Sequence, residues 1–293
     1  MGEFDLIARY FTRPVRRAAL GVGDDCALLA PAPGMQLAIS SDMLVEGRHF
    51  FADVDPEALG HKALAVNLSD LAACGARPLA FTLALSLPRV DEAWLAGFSH
   101  GLLALADAHS CELVGGDTTQ GPLNICITVF GEVPTGTALL RSGARPGDDL
   151  YVSGTLGDAR LALEALLGHR PLPADVLARA RQRLERPTPR VALGQALRGI
   201  ASSAMDLSDG LLGDLSHILK ASGVGARIDT HITSNLIAEK AYLSRGEGHF
   251  DLELIRQSTL AGGDDYELAF TAPPTRRDAV AAASQASGTP VTR

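Results

Sequence analysis

The 293-residue sequence is short of lysine, cysteine and aromatic side chains, and each shortage removes a class of function. None of its three lysines, Lys62, Lys220 and Lys240, follows a glycine, so there is no Walker A loop. No Gly-x-Gly-x-x-Gly stands out after a strand-like run, and Gly154-Thr155-Leu156-Gly157 is too short a match to use. The four cysteines, at 26, 74, 111 and 126, form no Cys-x-x-Cys pair, which argues against zinc. With no signal peptide they read as reduced, intracellular thiols. The longest apolar stretch, Pro78 to Pro88, is too short for a bilayer and contains Thr82 and Ser86, so a cytoplasmic chain without a membrane partner is expected. The net charge is −8 and no Lys/Arg block is interleaved with aromatics, which disfavours nucleic acid. The one Gly-x-Ser-x-Gly run, Gly97 to Gly101, falls inside the helix expected over 91–109 and not at a strand-to-helix turn, so no serine is expected as a covalent nucleophile.

What remains is an ordinary globular balance, 46% apolar and 20% charged, with enough length for two domains. Helical spacing of Phe4, Ile7, Ala8 and Phe11 predicts a helix over 4–12. Strands are expected at 25–31 and 36–41, around a Pro-Ala-Pro-Gly turn. Asp55-Pro56 should open a helix that runs to Cys74 and stops at Gly75. A strand over 79–87, a helix over 91–109 and strands at 112–114 and 124–132 complete an α+β pattern. Pro134–Gly136 and Ser142–Gly147 mark a boundary, giving domains of 1–135 and 136–293. The second contains strands at 149–153, 225–229 and 266–271. Its expected helices cover 157–167, 174–185, 190–199, 210–222 and 279–287.

Aspartates recur in short, Gly- or Ser-flanked segments that read as loops: Asp24-Asp25, Ser41-Asp42, Gly116-Asp117, Asp206 to Gly210 and Gly263-Asp264-Asp265. Asn67 and Asp70 lie three apart on one helix face, and Asp70 sits near the end where the helix dipole disfavours an anion. Aspartate is a common turn and N-cap residue, which explains any one segment. As a set they suggest a hard cation, because two carboxylates about 4 Å apart repel by roughly 4 kcal/mol at an effective dielectric near 20. Oxygen ligands select Mg²⁺, Ca²⁺ or Mn²⁺, and adjacent glycines let backbone N–H groups approach phosphate. Phosphoryl transfer fits, since it asks mainly for positioning and charge neutralisation.

Six segments in this order, Gly21–Ala27, Ser40–Phe50, Lys62–Ala73, Gly115–Thr119, Arg141–Asp148 and Asp206–Leu211, resemble the thiamine-monophosphate kinase family of the aminoimidazole-ribonucleotide-synthase-like superfamily. The resemblance runs from Gly2 to Leu268. It implies ATP- and Mg²⁺-dependent phosphorylation of thiamine monophosphate to thiamine diphosphate. It also implies a two-domain fold and a homodimer whose N-terminal sheets join into a barrel, with a C-terminal α/β domain that continues past Arg293. Carried over by position, Asp25, Ser40, Ser41, Asp42, Asp70, Asp117, Asp206 and Asp209 are the expected Mg²⁺ ligands. Gly116, Asp117, Arg141 and Ser208 are the expected ATP contacts, and His49 and Asp264 the expected substrate contacts. The family has Glu where this chain has Asp264. The rival readings are an aminoimidazole ribonucleotide synthase, which shares fold and ATP use, and a non-catalytic metal-binding protein.

Overall fold

The computed structural model describes residues 2–243 and 252–293, in two compact units: Met1–Leu71 with Ala76–Gly136, and Ala72–Gly75 with Thr137–Arg293. The first unit opens with helix α1 (Glu3–Tyr10) and continues β1 (Met35–Val45), α2 (Pro56–Ala73), β2 (Arg77–Leu87), α3 (Glu92–Ala108), β3 (Glu112–Gln120) and β4 (Asn124–Pro134). Its sheet has the order β1-β4-β2-β3, with β2 and β3 parallel and the other pairs antiparallel.

The sequence signals explain the helix ends. The Asp55 carboxylate accepts from Ala58 N at 2.9 Å and caps α2, and Asp91 accepts from Trp94 N at 3.1 Å and caps α3. The chain leaves α2 through Gly75 at φ +68°, with Ala76 N bonded to Leu71 O at 2.8 Å. Between its ends α2 is buried nearly all round, with Leu59, Leu64 and Leu68 fully enclosed. Its polar residues Lys62, Asn67 and Ser69 are therefore buried as well.

On β1 the usual alternation is inverted. Ser40 and Asp42 lie on the half-covered side, while Leu37, Ile39 and Met43 stand on the other face at 43%, 59% and 52% exposure.

The second unit runs β5 (Asp149–Ser153), α4 (Asp158–Leu166), α5 (Ala174–Glu185), α6 (Val191–Ala196), β6 (Ser203–Leu207) and α7 (Leu211–Ser222). The single turns α8 (Thr230–Thr233) and α9 (Lys240–Leu243) follow, then α10 (Leu252–Ala261), β7 (Glu267–Ala272), α11 (Arg277–Ser287) and β8 (Val291–Thr292). The strands form an antiparallel sheet in the order β6-β7-β5-β8, and β7 is buried along its whole length.

Two expected strands are not strands. Residues 25–31 make one isolated bridge, Leu28 to Leu20, because Pro31 and Pro33 offer no N–H to extend a ladder. Residues 225–229 lie as irregular chain between Gly223, which ends α7 at φ +67°, and Asp229, which caps α8. Ser40, Ser41, Asp42, Asp117 and Asp206 sit inside β1, β3 and β6 rather than in loops, since these strands extend beyond or cover the expected turns.

Candidate active site

In the first unit, α2 meets β1 through polar groups. The Ser40 hydroxyl donates to the Asp70 carboxylate. Asn67 Oδ1 accepts from Asp42 N at 3.1 Å, and its Nδ2 donates to Ala63 O at 3.0 Å. Burial, and then the neighbouring Asp70 charge, push the Asp42 carboxyl up to about 6. Two carboxylates are thus held together at a strand–helix contact, Asp70 through its bond from Ser40 and Asp42 through its backbone N–H on Asn67.

Ser41 points the other way, as the period of two requires. Its hydroxyl lies 3.0 Å from Thr128 Oγ1 and donates to Ile127 O at 3.1 Å. Asp117 shares that outer face, in a row with Ala84, Cys126 and Met43 across the sheet. Asp117 and Asp25 line one cavity of about 740 Å³, together with Asp24, Thr82, Gly115 and Gly116. Asp24 Oδ1 accepts from Asp25 N at 2.8 Å and so fixes its neighbour's backbone. Gly116 has φ +147°, and a Cβ there would lie 1.8 Å from Leu83 O. Only glycine lets β3 run this close to β2 beside the cavity.

His49 follows β1 in an exposed turn. Its Nδ1 accepts from Val45 N at 3.0 Å, so the neutral ring carries its proton on Nε2. The buried Lys62 ammonium donates to His49 O at 3.3 Å.

In the second unit, Asp206 is buried near the end of β6 and Ser208 and Asp209 follow it into an exposed turn. Asp214, on α7, reaches back so that its Oδ2 accepts from Asp209 N and Gly210 N, both at 3.0 Å. Burial raises the Asp214 carboxyl, opposed by these N–H bonds. The turn packs on the 262–266 segment, where Asp264 N donates to Ser208 O and Tyr266 N to Leu207 O, each at 2.8 Å. Asp264 and Tyr266 both have left-handed backbones, at φ +63° and +51°. Such a conformation costs roughly 1–2 kcal/mol for a residue bearing a Cβ. Arg141 is exposed, and its carbonyl accepts from Ser222 Oγ at 3.2 Å.

The structure therefore brings Ser40, Asp42 and Asp70 together, puts Asp25 and Asp117 on the lining of one cavity, and sets Ser208 against Asp264. Among the described residues, no group of three or more His, Cys, Asp or Glu gathers closely enough to hold a metal ion unaided. Sequence reasoning gave no role to the supporting residues Asn67, Asp214 and Asp265. Asn67 had one visible signal, its shared helix face with Asp70. Asp265 stood out only as the second aspartate of its segment and Asp214 not at all, because their partners are backbone amides supplied by the fold.

Comparison with known proteins follows the same division. Residues 23–133 match the AIR synthase related protein N-terminal domain, and residues 145–292 the corresponding C-terminal domain. The chain is 52% identical over 297 residues to thiamine-monophosphate kinase of Escherichia coli (strain K12), covering 99% of this chain and 89% of that one. It superimposes on the crystal structure of thiamine-monophosphate kinase from Stenotrophomonas maltophilia K279a with a TM-score of 0.86 and 45% identity, covering 99% and 90% of the two chains. A structure of AaThiL complexed with AMPPCP and TMP aligns with a TM-score of 0.75 and 33% identity, over 84% of this chain and 78% of that one.

Proposed function

The chain, built of the two AIR synthase related domains, belongs to the thiamine-monophosphate kinase family and is a phosphotransferase, and we propose that it phosphorylates thiamine monophosphate to thiamine diphosphate at the expense of ATP and with Mg²⁺. The observation that carries this reading is identity of 52% spread over 99% of the chain, with a 33%-identical relative known in complex with AMPPCP and TMP.

The donor chemistry fits a hard cation. Every proposed ligand offers oxygen, and Asp42, pushed up beside Asp70, is a carboxylate that a nearby positive charge would relieve. Asp42 and Asp70 with Ser40 would hold Mg²⁺ on one face of the β1 strand. Asp25 and Asp117 would hold it at the cavity, and Asp206 and Asp209 in the second unit, with Ser41 joining the set by resemblance. Bound there, Mg²⁺ supplies charge neutralisation between two anionic reactants.

The chain's own groups do the positioning. Backbone at Gly116, the Asp117 carboxylate, the Arg141 guanidinium and Ser208 contact ATP, the guanidinium matching phosphate geometry. His49, with its proton on Nε2, and Asp264 contact the substrate. The attacking atom is a phosphate oxygen already ionised at neutral pH, so no strong general base is required. Holding both phosphates in line is then the main task, and transfer is direct, without a phosphoenzyme.

A homodimer accounts for the inverted β1 strand. Leu37, Ile39 and Met43 would be covered when the N-terminal sheets of two copies join into a barrel. We place the protein in the cytoplasm; among the described residues no helix is long and apolar enough to cross a membrane.

The test is incubation with ATP, Mg²⁺ and thiamine monophosphate, with thiamine diphosphate as the expected product. Phosphorylation of a different acceptor, with no thiamine diphosphate formed, would overturn the assignment.

A further inference from the structure

The segment Gly262–Glu267 alternates. Asp265 and Glu267 are buried at 3% and 0% exposure, whereas Asp264 and Tyr266 between and before them are half-exposed. The two half-exposed residues are the ones with left-handed backbones. Strain of this kind persists only where surrounding bonds over-determine it, and it concentrates at functional sites.

The bonds that over-determine it can be named. Both Asp265 carboxylate oxygens accept from Gly157 N, at 2.9 and 3.1 Å. Glu267 is gripped by Arg190 Nε at 2.6 Å, Arg183 Nη2 at 2.8 Å and Ser153 Oγ at 2.5 Å. Arg183 also donates to Asp265 O at 3.4 Å. Gly263 closes the turn from the other side, because a Cβ there would lie 2.6 Å from Ser208 O. Asp264 is thereby presented next to Ser208, its N–H bonded to the Ser208 carbonyl.

We propose that Asp265 is a positioning residue for the transfer site: its buried carboxylate, clamped on the Gly157 amide, sets the left-handed turn that presents Asp264 beside Ser208. The inference rests on the reading of Asp264 as a substrate contact and Ser208 as an ATP contact, and deepens it. Glu267 anchors the following strand through two arginines, whereas Asp265 holds the turn itself. The amide it binds begins α4, so the turn takes its reference from a helix N-terminus rather than from its own loop. Asn at this position keeps the shape and one acceptor oxygen, whereas Ala keeps neither.

The experiment compares Asp265→Ala and Asp265→Asn with the unsubstituted chain in two readouts. The first is steady-state kinetics with ATP and thiamine monophosphate. Asp265→Ala is expected to raise KM for thiamine monophosphate at least tenfold, and Asp265→Asn to stay within threefold. Val280→Ala, a buried change on α11, controls for lost stability and should leave KM unchanged. A fall in kcat with both KM values unchanged, matching the control, would overturn the positioning role.

The second readout is amide hydrogen exchange, which needs no turnover. Asp265→Ala should lose protection at the Asp264 and Tyr266 amides, and unchanged exchange there overturns the proposal. If the unsubstituted chain makes no thiamine diphosphate, the functional reading fails while exchange still decides the role of Asp265. Should Asp265→Ala not fold, Asp265→Ser takes its place with the same expected direction in exchange.

Discussion

The Ser40 hydroxyl on β1 donates a hydrogen bond to the Asp70 carboxylate on α2, thirty residues further along the chain. The bond ties a strand residue to a carboxylate in the last turn of a helix, where the dipole disfavours it. Asn at position 70 could still accept from Ser40 and would remove the repulsion with Asp42. Asp70→Asn should therefore fold, with a circular dichroism spectrum unchanged. Loss of a metal ligand should lower thiamine diphosphate formation at least about 100-fold. Retained Mg²⁺-dependent turnover would mean that Asp70 is not a ligand.

Asp42 gives a pH signature. Its folded carboxyl is raised from 3.8 to about 6, so between those values the folded protein binds more protons than the unfolded chain. The stability this contributes is complete below about pH 4 and is lost as pH rises through about 6. Metal-free protein should show a falling contribution to Tm over that window, and Asp42→Asn should flatten it. Thermal melts in EDTA from pH 4 to 7.5 decide it, and identical profiles for the two proteins would refute the assignment.

Glu267 is fully buried between Arg183 and Arg190. Glu267→Ala leaves both guanidinium groups, at 20% and 16% side-chain exposure, without their shared anion. Breaking a buried pair of this kind costs about 3–5 kcal/mol. Urea unfolding should show a loss of that size, and a change below about 1 kcal/mol would show that water takes over the arginines.

Gly116→Ala would force a methyl onto the Leu83 carbonyl in a conformation already unfavourable for a side chain. Overpacking of this kind costs about 1–3 kcal/mol, and the β2–β3 ladder must shift to relieve it. The expected result is a lower urea midpoint together with a raised KM for ATP. A midpoint drop with KM for ATP unchanged would remove Gly116 from the ATP contacts.

The outer face of β1 tests the association. Ile39→Asp puts a charge at a 59%-exposed position where a copy of the chain would cover it. Sedimentation should show dimers for the unsubstituted chain and monomers for Ile39→Asp. Dimers in both cases would place the interface elsewhere.

Local chemistry alone determined much of this protein. Asp55-Pro56, Asp91 and Gly75 marked helix ends because caps and left-handed stops act within a few residues. The order of glycine-flanked aspartates sufficed for the family, since each segment keeps its residue types whatever its backbone does. Only the tertiary structure decided that Ser40 and Asp42 face α2 while Ser41 and Asp117 stand on the outer face. That outcome depends on strand register, and on β1 and β3 running through positions that read as turns. It alone decided that Pro31 and Pro33 leave residues 25–31 with a single bridge. It also gave Asp214 and Asp265 their work, by bringing to each the amides that it holds, some of them far away in sequence. A carboxylate bound to a distant N–H has no motif, because backbone amides are the same at every residue and only the fold says which one arrives.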